Sequence, residues 1–141
     1  MRFDLTKVRF IVADKMRYGE LGDYLDNKVV AYNTGKKEYV QAVLLHELVE
    51  LALIKALGIP VSWIDRFDTD KLFRLKKPRA YEQYRVAHYL ATLVERQFIE
   101  NLGLSWEKYE DCIRKIKIKV DRKRLKYNYE GKKKVQNRRL R

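Results

Sequence analysis

The stretch Ala42-Val-Leu-Leu-His46-Glu47-Leu-Val-Glu50-Leu-Ala-Leu-Ile54 is apolar except at His46, Glu47 and Glu50. At about 100° per residue Glu50 falls about 40° from His46 and Glu47 about 100° from it, so the three project from one side of a helix. A segment that is apolar everywhere else belongs in a core. There an ionised side chain costs several kcal/mol unless it pairs, changes protonation or holds a metal ion. The sequence therefore predicts a buried helix over about residues 37–57, closed by Gly58 and Pro60, with a polar cluster on one side.

Working outward, a second long helix is predicted from Ala80 to Leu102, between Pro78 and Gly103. Tyr84, His88, Ala91, Glu95, Phe98 and Leu102 recur at intervals of four and three, which places His88 and Glu95 at core-type positions. His88 is the second of only two histidines. Ser105 is positioned to cap a third helix reaching about Ile113, with Trp106 and Tyr109 packing inward. Residues 59–79 read as a connector with room for a short helix, Ser62 as a candidate cap, and Asp65, Asp68 and Asp70. On the other side, residues 7–14 alternate Val8, Phe10 and Val12 as a half-buried strand does, and the turn formers Asp26-Asn27 precede a second apolar run, Val29-Val30-Ala31-Tyr32. The expected fold is α+β: a small N-terminal sheet packed on about three helices.

The chain has 141 residues, 46% of them hydrophobic, which suits one globular unit. No apolar run reaches the ~18 residues that span a bilayer, and the first residues lack the apolar stretch of a signal peptide, so a cytoplasmic protein is expected. Cys112 is the single cysteine, which excludes an internal disulfide and any cysteine-rich zinc finger. Nitrogen and oxygen are then the ligands of any metal. No internal repeat or glycine-rich phosphate loop is present.

The net charge of +13 is concentrated at one end. Residues 1–112 hold 18 Lys and Arg against 17 Asp and Glu, whereas residues 113–141 hold 14 against 2. The division expected is a metal-binding domain over 1–112 and a basic extension over 113–141. Within the extension Ile116, Ile118 and Val120 alternate with lysines, and Leu125, Tyr127 and Tyr129 alternate with Lys126 and Asn128. This reads as a β-hairpin with one apolar and one basic face, a helical continuation being the alternative. Such a polycation attracts nucleic acid. The candidate phosphate contacts are Lys115, Lys117, Lys119, Arg122, Lys123, Arg124, Lys126, Lys132, Lys133, Lys134, Arg138, Arg139 and Arg141. The tyrosines either stack on bases or join the apolar face.

His46, Glu50 and His88 together supply two nitrogens and one oxygen, the donor types of His₂Glu zinc sites, though the same set also suits Fe²⁺. In His-Glu-x-x-His hydrolases the glutamate beside the first histidine acts as base, the role that falls here to Glu47. Asp65 and Asp68 are candidates for orienting the histidines or completing the coordination, or else for capping a turn. Glu95, seven residues from His88, is a fourth ligand or His88's partner. The alternative without metal is a pair of buried contacts, His46–Glu95 or His88–Glu50, fastening two helices of a nucleic-acid-binding protein.

The order strand, hairpin, helix with Leu44-Leu45-His46-Glu47-Leu48-Val49-Glu50, then a second helix, resembles zincin-like metallopeptidases of the minimal gluzincin type. A closer resemblance is to a group of uncharacterised bacterial and phage proteins. It is carried by His46-Glu47-x-x-Glu50, Ile64-Asp65-Arg66-Phe67-Asp68, Tyr84-Arg85-x-x-His88-x-x-Ala91-Thr92-x-x-Glu95-Arg96 and Leu104-x-Trp106-x-x-Tyr109, over about residues 8–112. The gluzincin resemblance implies peptide hydrolysis, Glu47 as base and a substrate strand along the sheet edge. Glu50 stands where that type has its second histidine, and His88 where it has a glutamate.

Overall fold

The structure is a computed structural model that describes residues 3–120 and Tyr129. A short 3₁₀ turn, Leu5–Lys7, precedes three strands, β1 (Arg9–Ala13), β2 (Gly22–Leu25) and β3 (Lys28–Tyr32). Five helices follow: α1 (Lys37–Ala56), α2 (Val61–Thr69), α3 (Lys71–Lys76), α4 (Pro78–Asn101) and α5 (Trp106–Lys115). The α+β expectation holds, and both long helices lie within two residues of their predicted bounds. At the end of α1, Gly58 takes φ +76°, and the amides of Gly58 and Ile59 bond back to the carbonyls of Lys55 and Ile54, which satisfies the last turn.

The sheet order is β1-β3-β2, with β1 parallel and β2 antiparallel to β3. Asp26, at φ +57°, makes the two-residue turn Asp26-Asn27 that links β2 to β3. β2 has no counterpart among the apolar runs read from the sequence. The reading also chose the wrong face of β1. Ile11 and Ala13 are buried, and Phe10 and Val12 are about half exposed. β1 is an edge strand, and α1 lies across β2 and β3, so the face of Phe10 and Val12 extends beyond the helix. The opposite face, with Ile11, Ala13 and Val30, packs on Met16 and Tyr129.

The connector holds two helices. Ser62 lies inside α2 rather than capping it, and Pro60 occupies the cap position. Asp70 caps α3 by accepting from the amides of Leu72 and Phe73. Ser105 caps α5 as predicted, accepting from Lys108 N. The boundary expected at residue 112 falls inside α5, and Ile113, Ile116 and Ile118 pack on the core around Tyr39, Ile99 and Tyr109. Residues 116–120 are extended, with lysines exposed and Ile116, Ile118 and Val120 turned partly inward, and Val120 bridges Met16 in parallel. A hairpin partner over 121–128, and the basic residues from Arg122 onward, lie outside the described residues. Among the described residues no helix is long and apolar enough to cross a membrane.

α1 is sandwiched between the sheet and α4. Its N-terminal residues Tyr39, Val40 and Val43 pack with Leu21, Ile99 and Tyr109, and its C-terminal residues Leu51 and Ile54 with Ile64, Phe67 and Phe73. His46, Glu47 and Glu50 sit between these two apolar clusters.

A candidate metal centre between two helices

His46, Glu47, Glu50 and Glu95 are all at least 90% buried, flanked by β2 on one side and α4 on the other. His46 lies at the centre. Its Nδ1 donates to Glu95 Oε1 at 2.8 Å, and its Nε2 lies 3.3 Å from Glu50 Oε2 and 3.5 Å from Glu47 Oε2. Glu50 Oε2 also lies 3.0 Å from His88 Nδ1, and its other oxygen accepts from Tyr24 OH at 2.7 Å. Tyr109 OH donates to Glu95 Oε2. The two imidazoles meet edge to face at 4.8 Å between centroids.

The structure brings His46, Glu47, Glu50, His88 and Glu95 into one cluster, and it differs from the spacing argument in how they are covered and paired. His88 is not in the core. Its side chain is 58% exposed at the rim of an open cavity of about 1170 Å³, with the other cluster residues in the lining. Glu95, on the same face one turn-pair later, is buried, but it partners His46 rather than His88. Both ion-pair contacts of the metal-free alternative, His46–Glu95 and His88–Glu50, are present together.

Asp65 and Asp68 line the cavity but contact neither histidine. Asp65 takes a two-pronged bond from Arg17, whose Nη1 and Nη2 lie 3.0 and 2.9 Å from its oxygens. Asp68 accepts from Tyr84 OH at 2.8 Å. Arg17 is 2% exposed and also bonds Asp23 through Nε and Nη2 at 2.7 and 3.1 Å. Tyr129 OH completes that group, donating to Asp23 and accepting from Arg17 N. Sequence reasoning missed Tyr24, Tyr109 and the Arg17 group. The signals for Tyr109 were its inward position on α5 and its place in the Leu104-x-Trp106-x-x-Tyr109 motif, neither of which pointed to the cluster, and Tyr24 lies on a strand that the pattern did not reveal.

Charge in the cluster is strongly shifted. Burial disfavours protonated His46, but the hydrogen bonds to Glu50 and Glu95 and the field of Glu47 override it and raise its pKa to about 10. Burial likewise works against ionised Glu50, yet bonds from His46, His88 and Tyr24 hold it down at about 2. Glu47 goes the other way: burial, and then the charge of Glu50, push its carboxyl well above the usual range. Burial also lifts Asp68 to about 6, although Tyr84 opposes the shift.

The donor set fits a divalent cation. One ligand atom each from His46, Glu50 and His88 lie within 4.8 Å of one another. Ligands about 2.1 Å from a tetrahedral ion stand roughly 3.4 Å apart. The contraction needed is small, and His88 is free to make it at the exposed rim. His46 turns its second nitrogen to Glu95, and Glu50 its second oxygen to Tyr24, the outer contacts that orient metal ligands. Glu47 stands outside the three-donor set.

Gly22 accounts for the close approach of β2. A Cβ there would lie 2.7 Å from Glu47 Cγ and 2.8 Å from Glu47 Cδ and Val43 Cγ1, so only glycine lets the strand lie against the carboxyl-bearing face of α1.

No protein-family model, curated protein or solved structure matches the chain.

Proposed function

We propose that the chain is a metal-dependent hydrolase in which His46, Glu50 and His88 hold a divalent cation, zinc in the first instance, and Glu47 is the base. The observation that carries this reading is the division of labour around His46: one nitrogen is fixed by Glu95 while the other faces Glu50 and the cavity. When bound, a divalent cation supplies Lewis acidity at the cavity floor. The chain's own residues do the rest. Tyr109 holds Glu95, Glu95 holds His46, and Tyr24 holds Glu50, so that two of the donors are oriented before any ligand arrives. Glu47, buried at the cavity wall with a raised proton affinity, takes a proton from water at its Oε2. The site supports hydrolysis of a peptide or another hydrolysable bond.

The basic extension is proposed to contact nucleic acid through its backbone charge, supported by the outward lysines 115, 117 and 119. Removing residues 131–141 should weaken DNA or RNA binding and flatten its salt dependence; equal binding by both forms would reject the role.

A second reading is favoured by the two histidine–carboxylate contacts, which are satisfied without a metal: a binding protein whose polar cluster only fastens α1 to α4. Glu47→Gln separates the two. It should leave folding and metal content intact and abolish turnover if Glu47 is the base. Elemental analysis of protein purified without chelators or a histidine tag tests the metal itself, and metal-free protein would leave only the second reading.

A further inference from the structure

The outer face of α4 carries an apolar stripe that nothing in the site explains. Val86, Tyr89, Leu90, Leu93 and Val94 follow the spacing i, i+3, i+4, i+7, i+8, and each is between 38% and 62% exposed. Isolated exposed apolar residues are ordinary, but a contiguous helical stripe of five is the pattern of a surface that packs on another helix. Among the described residues this face is left to solvent. It lies opposite the α1-facing row of Ala87, Ala91, Glu95 and Ile99, so the domain's own core does not use it.

We infer that two copies of this chain pair through α4, antiparallel, about a two-fold axis passing between Tyr89 and Leu90. The charges at the two ends of the stripe select this occupant and this direction. With the axis there, Val86 meets the partner's Leu93 and Tyr89 meets the partner's Leu90. At the ends Arg79 meets the partner's Glu100, and Gln83 meets the partner's Arg96. Arg79, Glu82, Arg96 and Glu100 are all exposed; Glu100 accepts from Arg96 and Glu82 from Arg85 along α4, and each carboxylate keeps a second oxygen for a partner's cation. A parallel pairing in register would instead set Arg79 on Arg79 and Glu100 on Glu100, like charge on like. Of these two pairings the antiparallel one is self-complementary in charge, as a two-fold interface requires. Tyr89 and Arg85 also line the cavity. The pairing therefore places a second copy beside the cavity mouth where His88 is exposed.

The test is the solution mass of the full chain by light scattering or sedimentation, over a wide concentration range. The expected result is a species of twice 17.0 kDa. Leu93→Glu, which places a charge against the partner's Val86 on each side of the axis, should weaken association on the order of a hundredfold or more. Because Leu93 is exposed, an unchanged circular dichroism spectrum should accompany that loss, with a melting temperature that no longer rises with protein concentration as that of the wild type does. Arg79→Glu should weaken association on the order of fivefold to tenfold, and Arg79→Glu combined with Glu100→Arg should recover it. A wild-type chain that is monomeric throughout overturns the inference. So does a dimer indifferent to Leu93→Glu, or a double charge reversal no stronger than the single one.

Discussion

Holding His46 protonated up to about pH 10 makes the metal-free protein's stability fall as the solution becomes more alkaline. An ordinary histidine titrates near 6.5. A folded-state value raised above that contributes stability that is complete below about 6.5 and is lost as pH rises through about 10. Glu50 has the opposite sign. Its value, lowered to about 2, contributes stability that is present above the usual carboxylate value and is lost only as pH falls toward 2, so it is constant in alkali. Asp68, raised to about 6, is about nine-tenths ionised at pH 7 and adds little above it. Glu47, raised well above the usual range, acts in the same direction as His46, and a Glu47→Gln background removes it.

Between pH 7 and pH 9 the His46 contribution alone shrinks by about 2.5 kcal/mol, roughly 5–10 °C in the melting temperature of a chain this size. Metal binding reverses the dependence, because His46 must give up its proton to become a ligand, and affinity then rises about tenfold per pH unit over the same range. The gain and the loss cancel. Zinc-loaded protein should melt at nearly the same temperature at pH 7 and pH 9, while chelator-treated protein falls. Scanning calorimetry of both forms reads this, and titration calorimetry in buffers of different ionisation enthalpy should count about one proton released per ion at pH 7.5. Parallel melting curves for the two forms, or no proton release on zinc addition, would refute the assignment of His46 as both proton holder and ligand.

Three further outcomes follow from named contacts. Tyr109→Phe removes the donor that orients Glu95 and, through it, His46, and should lower metal affinity about tenfold or more by competition against a zinc indicator, with Tyr24→Phe behaving alike through Glu50. Gly22→Ala forces a methyl group against Glu47 and Val43 and should cost roughly 1–3 kcal/mol in urea denaturation, with turnover lost in whatever fraction remains folded. Tyr129→Phe leaves Asp23 with one donor fewer in a buried group and should cost about 1–2 kcal/mol; no change would mean that the extension does not dock on β2.

What was legible in the sequence was whatever a helix period encodes. α1 and α4 are long, strongly patterned and closed by Gly58 and Gly103, and the four-residue step from His46 to Glu50 and the seven-residue step from His88 to Glu95 put these groups on common faces. Whether a position on such a face is covered depends on what lies opposite, and so Glu95 is buried while His88, two turns earlier, sits at the cavity rim. β2 was illegible because its sequence, Gly-Asp-Tyr-Leu, has no apolar alternation: Gly22 is there for close approach, Asp23 for Arg17, and Tyr24 for Glu50. The buried face of β1 was misread because both of its faces carry apolar residues, and the choice between them is made by where α1 lies. Asp65 and Asp68 were grouped with the histidines by type. Their partners, Arg17 and Tyr84, come from parts of the chain 48 and 16 residues away, which local spacing does not reveal.

The balance of charge distinguishes the metal reading from the polar-fastener reading more sharply than distance does. Around the single protonated imidazole of His46 stand three carboxyl groups, those of Glu47, Glu50 and Glu95, so the centre of the cluster tends to an excess of negative charge, enclosed by apolar packing on both sides. A cluster whose only task was to join α1 to α4 would be better served by apolar side chains of similar volume, since buried ion pairs rarely repay their desolvation. Replacing the His46 proton with a divalent cation would offset the excess charge. The same replacement would set a cation beside Glu47, which lies outside the three-donor set, and a nearby cation favours the ionised carboxylate that a base must be.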